Sequence, residues 1–145
     1  MFVNKAARYG LYAMVLSARE PHRPVTAGEV AKTFRVSENH VAKVLQQLVR
    51  GRLVSSVRGV GGGYRLSRPA SEITMLDVIE CVEGPLTESC KDCELRHGGG
   101  ETCSPHPAAC AIHRVFAELN ETAYYTLRSI TVATLARSQL VPLVV

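Results

Sequence analysis

The chain has 145 residues, 46% of them hydrophobic and 21% charged. That is enough to bury a core without disulfide or metal staples, as one compact domain or as a small domain with an appended oligomerisation segment. The formal net charge of +4 hides an asymmetry: Met1 to Ala70 hold twelve Lys or Arg against three Glu, a net +9, whereas Ser71 to Val145 hold five against ten Asp or Glu, a net −5. This division argues against a merely soluble surface and for a polyanion-binding module joined to a partner segment, because neutralising phosphates needs clustered cations.

Lys5, Arg8 and Gly10 interrupt the apolar start of the chain, so no secretory signal is expected. No run approaches the roughly 20 apolar residues that span a bilayer. The expected location is the cytoplasm, with no membrane partner. Disulfides are scarce there, and five cysteines, an odd number, read as metal ligands or redox groups.

In chain order, Asn4 to Arg19 carry Ala7, Leu11, Met14, Val15 and Ala18 at helical spacing, and the turn from Pro21 to Pro24 ends that helix. Thr26 to Glu29 has the form of a capping box, so a short helix should run to about Phe34. After the turn Arg35-Val36, Ser37 is placed to cap a second helix reaching about Arg50, with Val41, Val44, Leu45 and Leu48 on one face. Two helices joined by so short a turn form a helix-turn-helix. Leu53 to Val57 and Tyr64 to Leu66 read as strands, with Gly59, Gly61, Gly62 and Gly63 supplying the positive-φ positions of a tight hairpin, the wing. Thr74 to Val82 predicts a further helix. Glu83 to Ala108 is a loop rich in Gly, Pro, Cys and His. From about Ala109 a long apolar stripe of Ile112, Phe116, Leu119, Ala123 and Leu127 suits an intersubunit helix, and Thr131 would cap a last short one. No role is assigned to the apolar tail from Leu140 to Val145.

The expected fold is therefore mainly α: a winged helix-turn-helix with a two-stranded wing and a long C-terminal dimerisation helix. The expected divisions are a DNA-binding domain over 1–82, a cysteine-rich loop over 83–108, and the dimerisation helix and tail over 109–145. With its apolar face turned inward, the second helix of the motif presents Asn39, His40, Lys43, Gln46, Gln47 and Arg50 outward. Recognition helices read base edges with their N-terminal residues, so Glu38, Asn39, His40 and Lys43 are the expected readers of a double-stranded operator. Ser37 would cap the helix or hold a phosphate at its N-terminus. In the wing, Gly61 and Gly62 allow close approach to DNA, while Arg58 and Arg65 grip phosphates or enter a narrow minor groove. Neither a P-loop nor a dinucleotide-binding glycine pattern is present. A protein-interaction version of the same fold is disfavoured by the charge.

The segments VSENHVAKVL (36–45), GRLVSSVRGVGGGYRL (51–66) and ITMLDVI (73–79) closely resemble the Rrf-type regulators, the family of IscR, NsrR and CymR. The resemblance covers most of the chain. It implies a homodimer with one winged helix-turn-helix per subunit and a long C-terminal helix crossing to the partner. It also implies control of genes for iron-sulfur assembly, nitrosative stress or sulfur metabolism. The run Ser37-x-Asn-His-Val-x-Lys-Val looks most like the nitric-oxide-responsive branch.

Cys90, Cys93, Cys103, Cys110 and His113 lie within 24 residues. Thiolates are the usual ligands of iron-sulfur clusters, and a pliant loop can bring three of them round one cluster. Zinc commonly takes two close pairs, and only Cys90-x-x-Cys93 is a close pair here. Cluster-binding relatives place three cysteines in this loop, the last at the start of the long helix, some with a histidine three residues on. The resemblance thus implies Cys93, Cys103, Cys110 and His113 as ligands of a 2Fe-2S or 4Fe-4S cluster. The gaps are wider than in the best-known members, which keeps Cys90 open as an alternative to Cys93. Some members borrow an acidic ligand from the partner's first helix, but the corresponding region here shows Arg8, so the fourth ligand stays open. Cys81 lies in an apolar helix and reads as a small buried hydrophobe, and His97 and His106 as solvated loop residues.

The expected function is a transcription regulator, repressor or activator, that senses redox state, nitric oxide or iron-sulfur status through the loop. The alternative is a cluster-free regulator controlled by a protein partner or by thiol oxidation. An enzyme is not expected, since no nucleophile has an evident base and orienter.

Overall fold

The computed structural model describes residues 3–86 and 111–138, apart from the side chain of His113. Its elements are α1 (Lys5–Arg19), α2 (Ala27–Phe34), α3 (Glu38–Arg50), β1 (Val54–Val57), β2 (Gly63–Leu66), a short 3-10 turn (Ala70–Glu72), α4 (Met75–Glu83), α5 (Ala111–Ser129) and α6 (Val132–Arg137). Among the described residues, 3–85 and 127–138 make up one compact unit, and 86 with 111–126 belongs to a second. The mainly helical winged helix-turn-helix read from the sequence is the observed architecture.

Helix α1 is the centre of the first unit. The Asn4 side chain caps it by accepting from the Ala7 amide at 2.8 Å. Ala7, Leu11, Met14 and Val15 are buried, as their spacing predicts, but so are Tyr9, Gly10, Ala13, Leu16 and Ser17. The helix is covered on several sides, since α2, α3, α4, α6 and β2 all pack on it. The capping box of α2 forms as expected: Glu29 N donates to Thr26 Oγ1 at 3.1 Å, and Thr26 N donates to Glu29 Oε2 at 2.8 Å. The Thr26 amide holds the Glu29 carboxyl below its usual range, against the opposing effect of burial and with further help from Arg23. Arg35 takes a left-handed conformation, φ 53° and ψ 49°, which lets the chain leave α2 and re-enter helix three residues later.

In α3, Val41, Val44, Leu45 and Leu48 are all buried, the face that helical spacing assigns to the core. Strands β1 and β2 pair antiparallel with Val54 opposite Leu66 and Val57 opposite Gly63. The base of this hairpin has a third member, because Val25 bridges Tyr64 through amide-to-carbonyl bonds of 2.9 and 2.8 Å. Helix α4 starts with a second capping box, Thr74 with Asp77. The end of α5 and all of α6 return to the first unit. Met75 N donates to Ile130 O and Val132 N to Ile73 O, both at 2.8 Å, Leu127 and Val132 are buried, and the Arg19 guanidinium donates to the carbonyls of Ala136 and Ser138.

Candidate nucleic-acid interface

Burying one face of α3 dictates what the opposite face offers to solvent. Asn39, His40, Lys43, Gln46 and Arg50 are exposed and Gln47 is half-buried, at the spacing that lays them along the outer side of the helix. Ser37 occupies the N-cap position with extended backbone, but its hydroxyl makes no capping hydrogen bond, so its expected capping role is not met in this structure. Glu38 is exposed, and its carboxylate lies against the first turn of α2, about 3.5 Å from where a Cβ on Gly28 would stand. A carboxylate there complements the positive end of α2.

Two ring contacts hold this pair of helices to α1. Tyr12 stacks on Phe34 at 4.6 Å between centroids with the planes 8° apart. His40 leans on the buried Tyr9 at 6.4 Å, so the imidazole has an apolar support on one side while its residue stays exposed. Between α1 and α3 runs a cleft of about 530 Å³, floored by Tyr9 and Val44 and rimmed by Lys5, His40, Lys43 and Arg50.

On the wing, Arg58, Gly61 and Arg65 are exposed and Gly62 is half-buried. Arg65 Nη2 donates to the His22 carbonyl at 3.3 Å, tethering that guanidinium to the turn after α1 while leaving its other donors free to act. Val60, between Gly59 and Gly61, is fully exposed at the tip. The glycines differ in role. Gly59, Gly61 and Gly63 have positive φ (98°, 73° and 147°), as expected, but Gly62 does not. A Cβ on Gly62 would run into the Val57 carbonyl and stand 2.8 Å from the Gly59 carbonyl, so it is the folded-back backbone of the turn that requires glycine there. Among the described residues no carboxylate pairs with Lys43, Arg50, Arg58 or Arg65; the ion pairs are Arg23 with Glu20 and Glu29, and Arg68 with Asp77.

The cysteine-loop candidates Cys90, Cys93, Cys103 and Cys110 lie outside the described residues, as do His97 and His106. His113 is in the first turn of α5, with its side chain outside the description. Among the described residues no group of His, Cys, Asp or Glu could hold a metal ion. Cys81 is half-buried rather than buried, because its thiol sits at the end of α3 and donates to the Gln47 carbonyl at 3.4 Å. Burial pushes that thiol above its usual range, with the Gly51 backbone pulling partly back, which leaves it protonated and a poor ligand or nucleophile near neutrality. Residues missed by sequence reasoning are Lys5 and Tyr9. Both sit on a helix legible as support, and only its packing beside α3 brings them to this face.

Among the described residues no helix is long and apolar enough to cross a membrane. Residues 3–138 match the family model described as Rrf2, iron-dependent transcriptional regulator. A Rhodopseudomonas palustris protein named as the HTH-type transcriptional regulator BadM is 38% identical over 140 residues, covering 94% of this chain and 82% of the relative. The solved structure of CymR, titled the global cysteine regulator of B. subtilis, matches with a TM-score of 0.75 at 27% identity, covering 94% of this chain and 96% of that one. The T. potens IscR structure matches with a TM-score of 0.72 at 26% identity, covering 93% and 85%. The chain belongs to the Rrf2 family of transcriptional regulators.

Proposed function

We propose that the protein is a cytoplasmic, homodimeric operator-binding regulator whose outer α3 face and wing read DNA under the control of the cysteine loop. The observation that carries this is the set of exposed cations Lys43 and Arg50 on α3 and Arg58 and Arg65 on the wing, none of which pairs with a carboxylate among the described residues. Asn39, His40 and Lys43 read base edges with Gln47 behind them, Ser37 and Glu38 sit at the entry of the helix, and Arg58 and Arg65 take phosphates or the minor-groove edge. Exposed Gly61 lets the wing backbone approach the duplex. Dimerisation falls to α5, whose Ile112, Phe116 and Leu119 are each more than half exposed. On a duplex selected by the protein from a random pool, Asn39→Ala and Lys43→Ala should each lose about 1–3 kcal/mol of discrimination against altered bases, read as changed base preference in a second selection. Unchanged preference for both variants would remove α3 as the reading element.

The sensing part of the proposal places an iron-sulfur cluster, 2Fe-2S or 4Fe-4S, on Cys93, Cys103, Cys110 and His113, with Cys90 as the alternative to Cys93. What supports it is a family model described as iron-dependent, an IscR among the solved relatives and four cysteines within 21 residues of one loop, from Cys90 to Cys110. A bound cluster would supply a group that reacts with oxidants or nitric oxide, and this chain's contribution is to tie its ligands directly to the first turn of α5. Anaerobically purified protein should carry iron, acid-labile sulfide and visible absorbance, all lost in Cys103→Ala and Cys110→Ala. Protein without iron or sulfide would defeat the cluster. The second reading, a cluster-free regulator governed by a protein partner or thiol oxidation, draws on the match to CymR; under it, replacing Cys93, Cys103 and Cys110 by Ala leaves DNA regulation intact.

A further inference from the structure

The cleft between α1 and α3 brings Lys5, from a helix that otherwise serves the core, to the rim that also holds Lys43 and Arg50. All three are exposed, and among the described residues none has a carboxylate partner. Three like charges round one opening repel one another, and the floor of Ala6, Tyr9 and Val44 offers them no counter-charge. An anion seated at the rim relieves that repulsion, and the apolar floor keeps it there. The α3 residues on this wall, His40, Lys43, Gln47 and Arg50, recur at intervals of three and four and so form one stripe along the side of the helix. A helix with its side chains is about 10–12 Å across and the major groove about 12 Å wide, so the C-terminal end of this stripe, Gln47 and Arg50, past the N-terminal turns that read base edges, faces a sugar-phosphate backbone. The start of α1 is fixed beside that stripe, since Asn4 caps it through the Ala7 amide and its own amide donates to Glu83 Oε1 on α4 at 2.6 Å.

We infer that Lys5 and Arg50, facing each other across the α1–α3 cleft, seat a backbone phosphate of the bound duplex, which makes α1 a third DNA-contacting element beside α3 and the wing. This rests on the DNA-binding reading above and adds to it a contact that carries no sequence information. Its signature is therefore electrostatic. Each phosphate neutralised contributes about 0.9 to the slope of log affinity against log salt, so a dimer that loses one contact per subunit loses about two from the slope.

The test is a salt titration of full-length protein on two probes, a random-sequence duplex and the duplex enriched by selection. Lys5→Gln should reduce the slope by about two and weaken binding on the order of tenfold near physiological salt. The loss should be the same on both probes, with Lys5→Arg restoring slope and affinity. Lys5 is exposed and has no described hydrogen bond, so the melting temperature should not move. An unchanged slope in Lys5→Gln, or a loss confined to the enriched duplex, overturns the phosphate seat. Wild-type protein with no salt-dependent binding to either probe would instead overturn the DNA-binding reading itself.

Discussion

Replacing Phe116 and Leu119 together by Glu should leave the protein helical but monomeric and weaken its hold on a two-half-site duplex by about 10²–10⁴-fold. In the described chain Ile112, Val115, Phe116 and Leu119 are 62%, 56%, 54% and 52% exposed, and their spacing of three, one and three puts them on one side of α5. Further along, Leu127 in the last turn of the same helix is buried, only 9% exposed. Burying a Phe or Leu side chain stabilises by about 1.5–3 kcal/mol. Phe116 and Leu119 are about half exposed, so two such residues in each of two subunits amount to about 3–6 kcal/mol, a large share of the roughly 8–12 kcal/mol that holds a micromolar to nanomolar dimer. Carboxylates at these positions add a desolvation penalty to any residual association. Glu is also a good helix former, which separates loss of the partner from loss of α5. Sedimentation should report the monomer mass, and a binding curve on one half-site should stay close to that of the wild type. A variant that remains dimeric would show that another surface joins the subunits.

Local signals in the sequence locate nearly every described element to within a residue or two, because each depends on residues close to one another. The capping box of Thr26 with Glu29 spans four residues, and the buried set Val41, Val44, Leu45 and Leu48 is set by one helical period. What stays hidden is pairing over long separations. Nothing in the spacing announces that Val25 bridges Tyr64, that Thr131 bridges Thr74, or that Arg19 reaches the carbonyl of Ala136. The candidate interface divides the same way. The outward set on α3 follows from periodicity alone, whereas the presence of Lys5 on the cleft that Arg50 also lines follows from how α1 packs against α3. A local pattern also misleads where several physical causes favour one residue type, and the glycine run of the wing is such a place.

Gly63→Ala should destabilise the first unit by about 2–5 kcal/mol and lower its melting temperature on the order of 10 °C, whereas Gly61→Ala should cost only about 1 kcal/mol. Both have positive φ, 147° and 73°, so a composition argument treats them alike. Their surroundings do not. A Cβ on Gly61 meets nothing within 4 Å, and the strain is confined to its own torsion. A Cβ on Gly63 would stand 2.6 Å from the Val25 carbonyl oxygen and 2.9 Å from its carbon. That carbonyl cannot retreat cheaply, because it accepts from Tyr64 N at 2.8 Å while Val25 N donates back to Tyr64 O at 2.9 Å. Relief of the overlap must open this bridge, losing two backbone hydrogen bonds worth about 0.5–1.5 kcal/mol each in addition to the torsional strain. The damage should reach function as well, since the bridge holds the residue next to Arg65, whose guanidinium is tethered to His22. Thermal unfolding of the two variants, with binding to a random-sequence duplex, checks this. Gly63→Ala should lose both stability and affinity, whereas Gly61→Ala should keep most of its stability and lose affinity only through the poorer approach of the wing tip. Equal melting temperatures would mean that the Val25–Tyr64 bridge does not hold the wing in place.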